Sequence, residues 1–398
     1  MMASLPIDKA APLPRAIWVL GFVSLLMDVS SEMIHSLLPL FMVTTLGASA
    51  FTVGILEGLA EATALIVKLF SGALSDHLGK RKWLAALGYG LGAFAKPFFA
   101  FATSMPLVFA ARMTDRIGKG IRGAPRDALV ADLVPPAQYG AAYGLRQSLD
   151  TIGAFLGPLV AVALMVLWAG DFRAVFRVAV VPGVLAVLLL LVGLREPAPK
   201  ANTNPHKPLR VARLRLLNAE YWWVVAIGGV FTLARFSEAF LVLRAQQTGL
   251  SVAWIPLVMV AMNVVYSLSA YPLGRLADRV SHDSLLACGL AVLIASDLVL
   301  AQPPGFLTLS AGVALWGLHM GLTQGLLASM VAKTSPPDLR GTAFGFFSLI
   351  SGGALLVASA VAGLLWDAFG ASFTFYAGAC FAAAALLLLL ARRRFVPL

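Results

Sequence analysis

The stretch that decides the fold is residues 72–82, which read Gly72-Ala-Leu-Ser-Asp76-His-Leu-Gly79-Lys80-Arg81-Lys82. A long apolar run ends there, an aspartate and a glycine predict a tight turn, and three basic residues follow. A weaker copy appears later in the chain as Gly274-Arg-Leu-Ala-Asp278-Arg-Val-Ser-His282. The two aspartates lie 202 positions apart in a chain of 398 residues.

A second pair of landmarks repeats at nearly the same distance. The segment Pro135-Pro136-Ala-Gln-Tyr-Gly140 corresponds to Pro336-Pro337-Asp-Leu-Arg-Gly341, at an offset of 201 positions. Two independent repeats at about half the chain length indicate a duplicated half.

Composition indicates an integral membrane protein. Hydrophobic residues make up 60% of the chain and charged residues 12%, with a mean hydropathy of +0.87. Soluble domains carry about 25% charged residues. The apolar runs are about twenty residues long, which is the length of a helix that crosses a bilayer. Because these runs show no alternation of polar and apolar residues, they predict helices rather than the strands of a barrel.

We predict twelve membrane-spanning helices in two pseudo-symmetric six-helix halves. The halves are residues 1–195 and 220–398, and residues 196–219 form a cytoplasmic linker with several prolines and a basic amphipathic stretch. That stretch is expected to lie on the anionic inner leaflet. The predicted spans are 16–43, 51–73, 82–103, 106–131, 140–166, 174–194, 220–246, 252–274, 283–301, 306–331, 342–366 and 372–391.

The placement of the basic residues predicts the orientation. The net charge of +11 would suit a nucleic-acid partner, but Lys and Arg gather in alternate loops, as they do on the cytoplasmic side of membrane proteins. We therefore expect a cell-membrane protein with both termini in the cytoplasm, and no nucleic-acid partner. The N-terminus does not read as a cleavable signal. Cys288 and Cys380 lie inside apolar runs, so we expect buried thiols and no disulfide.

Residues 72–82 resemble the signature between the second and third spans of the major facilitator superfamily. The resemblance covers the whole chain in span number, linker and repeat. It implies a secondary transporter that alternates access between two halves, here taken as a monomer without a cofactor. It also implies that this stretch and its copy latch the halves together on the cytoplasmic side. The latch residues are then Gly72, Asp76, Gly79, Lys80, Arg81, Gly274 and Asp278.

Two weaker signatures follow. Residues 112–118, Arg112-Met-Thr-Asp115-Arg116-Ile-Gly118, resemble the fourth-span pattern, although Asp115 and Arg116 replace its usual Gln and Gly. The motif Gly153-Ala-Phe-Leu-Gly157-Pro158 resembles the fifth-span signature of the family's proton antiporters, although Ala161 and Val162 replace its last glycines. Gly153, Gly157 and Pro158 are also typical of close helix packing in membranes. This resemblance favours export over import.

Ionisable residues far from any loop are the candidate functional groups, because they are costly in a bilayer and usually face a cavity or one another. In the first span Asp28, Glu32 and His35 share one helical face. The fourth span carries a basic stripe, which suits a substrate with an acidic group. The predicted proton-coupling residues are Asp28, Glu32, Glu61 and Asp150. The predicted substrate-binding residues are His35, Arg112, Arg116, Lys119, Arg122, Arg146, Arg235, Glu238 and His319.

These groups favour an exporter of a small organic, possibly anionic or drug-like, molecule in exchange for protons. The first two spans are net acidic and the fourth is net basic, so a bridge between them that protonation relieves is the simplest coupling element. One alternative is a transporter of divalent transition metals that binds them at Asp28, Glu32, His35 and His319. A second alternative is a proton-coupled importer of an organic acid. The sequence contains no hydrolase, nucleotide-binding or zinc-protease motif, so we do not expect an enzyme.

Overall fold

The computed structural model describes residues 12–78, 80–135, 138–195, 216–277, 280–323, 326–336 and 339–395. The described residues form twelve successive helical spans and no strand, which confirms the predicted all-α fold class. The spans are α1 (Arg15–Thr45), α2 (Ala50–Leu78), α3 (Arg81–Ala100), α4 (Met105–Leu133), α5 (Tyr139–Leu167), α6 (Phe172–Gly193), α7 (Ala219–Gln246), α8 (Leu257–Ala277), α9 (His282–Leu300), α10 (Phe306–Thr323 and Leu326–Thr334), α11 (Arg340–Phe369) and α12 (Ala371–Phe395).

Ten of these spans are long and apolar enough to cross a membrane. The other two are α3 and α4, and α4 carries eight Asp, Glu, Lys or Arg residues. Large apolar side chains also lie on the outer surface, with Val192 85% and Leu307 80% exposed. A surface of this kind is stable against lipid and not against water.

Tight turns join the helices at the end of the bundle away from the termini. Gly47, Gly170, Gly249 and Gly370 all have positive φ, between 67° and 93°, and each follows an odd-numbered helix. Glycine adopts this left-handed conformation without the steric cost that a Cβ brings. Asp171 then caps α6, because its side chain accepts a hydrogen bond from the Ala174 N–H at 3.1 Å.

The same five helix pairings occur in both halves of the bundle. In the first half α1 packs against α5 and α6, α3 against α4 and α6, and α2 against α4. In the second half α7 packs against α11 and α12, α9 against α10 and α12, and α8 against α10. Each pairing in the second half is the first-half pairing shifted by six helices.

Two helix pairs, α2 with α11 and α5 with α8, join the halves. The α2–α11 contact is close because glycines line it. A Cβ on Gly54 would collide with the Ser359 carbonyl oxygen, and one on Gly58 would lie 2.9 Å from Leu356 Cα. At the outer end of this seam, the backbone N–H groups of Ala50 and Phe51 donate to Asp367, at 3.0 and 2.8 Å. A carboxylate from the second half thus caps α2 in the first half.

The seventh span lies where the sequence predicts it, but it contains a break that the sequence did not predict, since the helix stops at Ala234 and resumes at Ala239. The freed Ser237 N–H donates to the Ser359 hydroxyl at 3.1 Å, so α11 replaces the missing helical bond. Cys288 and Cys380 are free, as expected, but both are exposed on the helix surface rather than buried. Hydropathy alone does not tell which face of an apolar helix points outward.

Candidate functional site

A cavity of about 360 Å³ lies between the two halves, at the middle of the bundle. Helices α1, α2, α4 and α5 supply one wall, and α7, α8, α10 and α11 supply the other. The lining residues from the first half are Glu32, His35, Glu57, Glu61, Lys119 and Ala154. Those from the second half are Thr232, Arg235, Phe236, Ser237, Glu238, Met259, Asn263, Trp316, Leu355 and Ser359.

Two ion pairs join the acidic face of α2 to the basic stripe of α4. Arg112 Nη2 lies 2.5 Å from Glu57 Oε2, and Arg116 Nη1 lies 2.8 Å from Glu61 Oε1. The side chains of Arg112, Arg116 and Glu57 are almost fully buried, whereas that of Glu61 is 31% exposed. Charge-assisted bonds of this length compensate part of the cost of burying these groups.

His35 lies between two glutamates at the edge of this network. Its Nδ1 is 3.5 Å from Glu32 Oε2, and its Nε2 is 3.4 Å from Glu57 Oε2. A protonated imidazole donates from both nitrogens, so His35 can donate to Glu32 and Glu57 at the same time only when it carries its second proton. On the far side of Arg116, Lys96 Nζ binds Asp115 Oδ1 at 2.8 Å.

The break in α7 brings two charged residues to the opposite wall. Arg235 follows the last helical residue, and Glu238 precedes the next helical segment. Neither makes an ion pair within the described part of the chain, and the Arg235 guanidinium lies 5.5 Å from the centre of the Phe231 ring. Lys119 on the first wall likewise has no ion-pair partner among the described residues. The cavity therefore holds two cations and one carboxylate that make no ion pair with the described residues.

Several predicted substrate residues do not line this cavity. Arg112 and Arg116 bind the α2 glutamates, and Arg122 is buried with its guanidinium 4.8 Å above the Tyr89 ring. Arg146 binds Asp150 at 2.5 Å. His319 is fully buried, with Nδ1 at 2.6 Å from the Trp316 carbonyl oxygen.

The predicted proton carriers occupy two places. Glu32 and Glu61 line the cavity. Asp28 and Asp150 are not among its lining residues. Asp150 is bound to Arg146, whereas Asp28 has no ion-pair partner among the described residues. Gly153 and Gly157 hold α5 against α1, since a Cβ at these positions would lie 3.0 Å from Asp28 Cβ and 2.6 Å from Glu32 Cβ.

The four ligands predicted for a transporter of divalent metals do not form a cluster among the described residues. Within the described ranges, no three His, Cys, Asp or Glu side chains come together in a group that could hold a metal ion. Asp28, Glu32, His35 and His319 are therefore not assembled as a ligand set. The buried His319 ring instead packs edge-on to Trp316, with 5.4 Å between ring centres.

The latch region is described in part. Gly79 and Asp278 lie outside the described residues, as do the side chain of Asp76 and the surroundings of Gly274. Arg81 Nη1 binds Asp132 Oδ2 at 2.5 Å, which joins the start of α3 to the end of α4. Gly72 packs close to α4, because a Cβ there would lie 3.3 Å from Ala124 Cβ. Lys80 is exposed.

Sequence reasoning missed the uncharged and aromatic residues of the cavity. Asn263, Trp316 and Ser359 line it, but neutral side chains in an apolar run resemble ordinary packing residues. It also missed Asp367, which looked like a loop residue because it lies near the end of α11. An isolated carboxylate at a helix end gives no sign of the helix that it caps in the other half.

Comparisons with known proteins agree with this architecture. The family model of the Major Facilitator Superfamily matches residues 20–262 and 239–397. The chain is 32% identical to the uncharacterized MFS-type transporter MJ1317 of Methanocaldococcus jannaschii, over 89% of each protein. It is 28% identical to the multidrug resistance protein MdtH of Cronobacter sakazakii, over 84% of this chain and 82% of that protein.

Solved transporters share the fold at low sequence identity. The nucleoside transporter NupG superposes with a TM-score of 0.78 at 15% identity, covering 94% of this chain and 98% of that one. A POT family transporter in complex with 5-aminolevulinic acid superposes with a TM-score of 0.81 at 12% identity, covering 96% of both chains. The chain therefore belongs to the Major Facilitator Superfamily and is a multi-pass membrane transporter of that type.

Proposed function

We propose that this transporter exports a small organic molecule in exchange for protons, by exposing one cavity to each side of the membrane in turn. The observation that carries the proposal is the cavity between the halves, whose two walls both bear ionisable side chains. Glu32, Glu61 and Lys119 lie on one wall, and Arg235 and Glu238 lie on the other. Intramembrane charges that face a cavity are typical of substrate and proton pathways.

Coupling is assigned to the carboxylates of the first half. Protonation of Glu61 would neutralise the partner of Arg116 and weaken the bridge between α2 and α4. Among the four predicted carriers, Glu32 and Glu61 are favoured because water in the cavity reaches them. Asp28 and Asp150, which lie away from the cavity lining, stay predictions.

The free charges suggest what the substrate carries. Lys119 and Arg235 replace Arg116 and Arg122 as our candidates for binding an acidic group, because they face the cavity without a neutralising partner. Glu238 would accept a basic group, and Phe236 and Trp316 supply an apolar wall. A small, partly apolar molecule with an acidic group fits these walls. Efflux of drug-like compounds is also supported by the relatives named multidrug resistance protein MdtH.

Movement between the two states would be a rocking of residues 1–195 against residues 220–398 about the α2–α11 and α5–α8 seams. The linker at residues 196–219 would stay on the cytoplasmic side with both termini, in the cell membrane. Gly72, Asp76 and Lys80 would then act in a latch that holds the cytoplasmic side closed in one of the two states. A monomer suffices for this cycle, since one chain supplies both walls.

Transport assays in liposomes distinguish this proposal from its alternatives. The purified protein is reconstituted with a pH-sensitive dye inside, and norfloxacin, benzoate, ethidium or Ni²⁺ is added under a pH gradient. We expect proton movement with norfloxacin, which carries both a carboxylate and an amine, and a weaker response to ethidium. Glu61→Gln should reduce the response roughly tenfold without reducing the amount of folded protein.

Other outcomes would overturn the proposal. Proton movement with Ni²⁺ alone, lost in His35→Ala, would favour the metal transporter. Accumulation of benzoate in the same direction as the protons would favour the importer of an organic acid. Absence of proton movement with all four compounds would remove the support for proton-coupled organic transport.

A further inference from the structure

One aspartate in the second half lies outside the cavity and has no side-chain partner among the described residues. Asp297, on α9, is fully buried, with a relative exposure of 0%. Neither of its carboxylate oxygens has a hydrogen-bond partner among the described residues, and it makes no ion pair with them. An isolated negative charge in such a place has a large desolvation cost. By contrast, Glu57, Glu61, Asp115 and Asp150 each pair with a cation, and Glu32 and Glu238 line the cavity. Asp28 has no ion-pair partner among the described residues, but it is only half-buried.

The surroundings of Asp297 are apolar and connect it to the cavity wall. Asp297 and Phe236 both pack against Gly378 of α12. A Cβ on Gly378 would lie 2.7 Å from Asp297 Oδ2 and 2.9 Å from the Phe236 ring. Phe236 lines the cavity, and its ring packs against Trp316 and Phe375 at 5.5 and 5.7 Å. The Phe236 ring therefore lies close to the carboxyl and also lines the cavity.

The titratable groups on the neighbouring helices are engaged elsewhere or point outward. On α10, His319 binds the Trp316 carbonyl oxygen. On α12, Tyr376 and Cys380 are exposed. On α7, Arg244 donates to Gln247 and to the Gln302 carbonyl oxygen, and Arg235 and Glu238 face the cavity. None of these described groups forms a bond with Asp297, and a proton neutralises its charge without a side-chain partner.

We propose that Asp297 is a proton-binding site of the second half, occupied in this conformation and separated from the cavity by Phe236. When Phe236 moves, water in the cavity reaches the carboxyl and the proton leaves as hydronium, which returns Asp297 to the carboxylate. The transporter then has protonatable groups in both halves. The existence of this proton-binding site does not depend on the proposed function. The role of Asp297 in coupling does rest on the proposed function.

Infrared difference spectroscopy tests the occupied site without any substrate. Full-length wild-type protein and Asp297→Asn are compared in lipid at neutral pH, because a protonated carboxyl has a C=O stretch that a carboxylate lacks. We expect Asp297→Asn to lose one protonated-carboxyl band. The control Asp171→Asn, at an exposed cap that asparagine also fills, should lose a carboxylate band. Loss of a carboxylate band at position 297 would overturn the proposal.

Exchange into heavy water tests whether Phe236 separates the Asp297 carboxyl from the water in the cavity. This experiment does not need the Asp297→Asn variant, so it can be done even if that variant does not fold. The deuterium shift of the protonated-carboxyl band should be slow in the wild type and several-fold faster in Phe236→Ala. Phe240→Ala is the matched control, because Phe240 packs against Phe236 at 5.5 Å but does not line the cavity. Equal exchange rates in the two variants would show that Phe236 is not the barrier.

The liposome assay tests the role in coupling. If Asp297 exchanges its proton during the cycle, Asp297→Asn lowers the number of protons moved per substrate while substrate exchange continues. An unchanged proton count, with the infrared band present in the wild type, would contradict the coupling role and leave a proton held for structural reasons. Because the spectra need no substrate, failure of the transport proposal does not affect them.

Discussion

The two halves pack by the same helix pairings but stabilise their cores in different ways. In the first half, buried ion pairs connect α2, α3 and α4, as in Lys96–Asp115 and Arg112–Glu57. In the second half an aromatic cluster connects α7, α10 and α12, in which Phe236 packs on Phe240, Trp316 and Phe375 with ring centres 5.5 to 5.7 Å apart.

The two kinds of core suit two different functions in a coupled transporter, which are the response to protonation and the binding of an organic ligand. An ion-pair network changes its energy when one member gains a proton, so it can convert protonation into movement. An aromatic cluster contains no titratable group, so its packing does not itself respond to pH, and it can present an apolar wall to an organic ligand. The duplicated fold thus carries a charged half and an aromatic half around one cavity.

The largest expected effect comes from breaking one ion pair of the charged half. Arg112→Ala leaves the buried Glu57 without its guanidinium partner and with His35 as its remaining neighbour, and such a loss typically costs about 3 to 5 kcal/mol of stability. Lowering the pH should restore part of it, because protonation of Glu57 removes the isolated charge. Thermal unfolding of the purified protein across a pH series measures this.

Two variants control for that result. The double variant Glu57→Gln with Arg112→Met removes both charges together and should be more stable than Arg112→Ala alone. Phe375→Ala in the aromatic half removes packing without a charge, so its loss of stability should not change with pH. If the loss in Arg112→Ala were equally independent of pH, the ion-pair account of the charged half would be wrong.

A second pair of variants, Glu61→Gln and Arg235→Gln, distinguishes residues that couple transport to protons from residues that bind the substrate. Glu61→Gln should reduce uphill transport roughly tenfold while substrate exchange down its gradient continues. Arg235→Gln, on the other wall, should weaken binding and leave the proton count per substrate unchanged. Parallel flux and exchange measurements in liposomes separate the two. Equal loss of exchange and uphill transport in Glu61→Gln would place Glu61 in binding instead.

The smallest effect concerns the two ends of the bundle. Asp367→Ala removes both hydrogen bonds to the start of α2, and the loss of a helix cap typically costs about 1 kcal/mol. We expect this variant to favour opening at the end away from the termini. Asp76→Asn, at the predicted latch, should favour opening at the other end.

Accessibility of single introduced cysteines to a membrane-impermeant maleimide reports which end is open. The melting temperature of each variant shows whether the fold is retained. If both variants changed accessibility at the same end, Asp367 and Asp76 would not be opposing latches.

Much of the fold follows from the sequence because it depends on local properties. Apolar runs of membrane length predicted the spans, and the repeated landmarks predicted the duplication. The i, i+3 and i+4 spacing placed the acidic face of α2 and the basic stripe of α4 on single helix faces. Their pairing across Glu57–Arg112 and Glu61–Arg116 is a natural result of two such faces meeting.

The rest depends on contacts between distant segments. Nothing local marks Arg235–Glu238 as a break, since the Ser237 N–H is satisfied by Ser359, more than a hundred positions later. Arg122 looked like one more member of a basic stripe until the fold placed it on Tyr89. Asp297 gave a usable signal, because a lone acid in an apolar span is costly, but only the fold shows that it has no partner.

The cap at the start of α2 links residues that are made at very different times. Asp367 is 317 positions after Ala50, so the ribosome has made α1 to α10 before this carboxylate exists. Until α11 enters the membrane, the first N–H groups of α2 lack the acceptor that they have in the folded protein. The first half therefore reaches its final form only after α11 has been inserted. A fragment ending at the linker would keep its buried ion pairs and yet have a frayed α2.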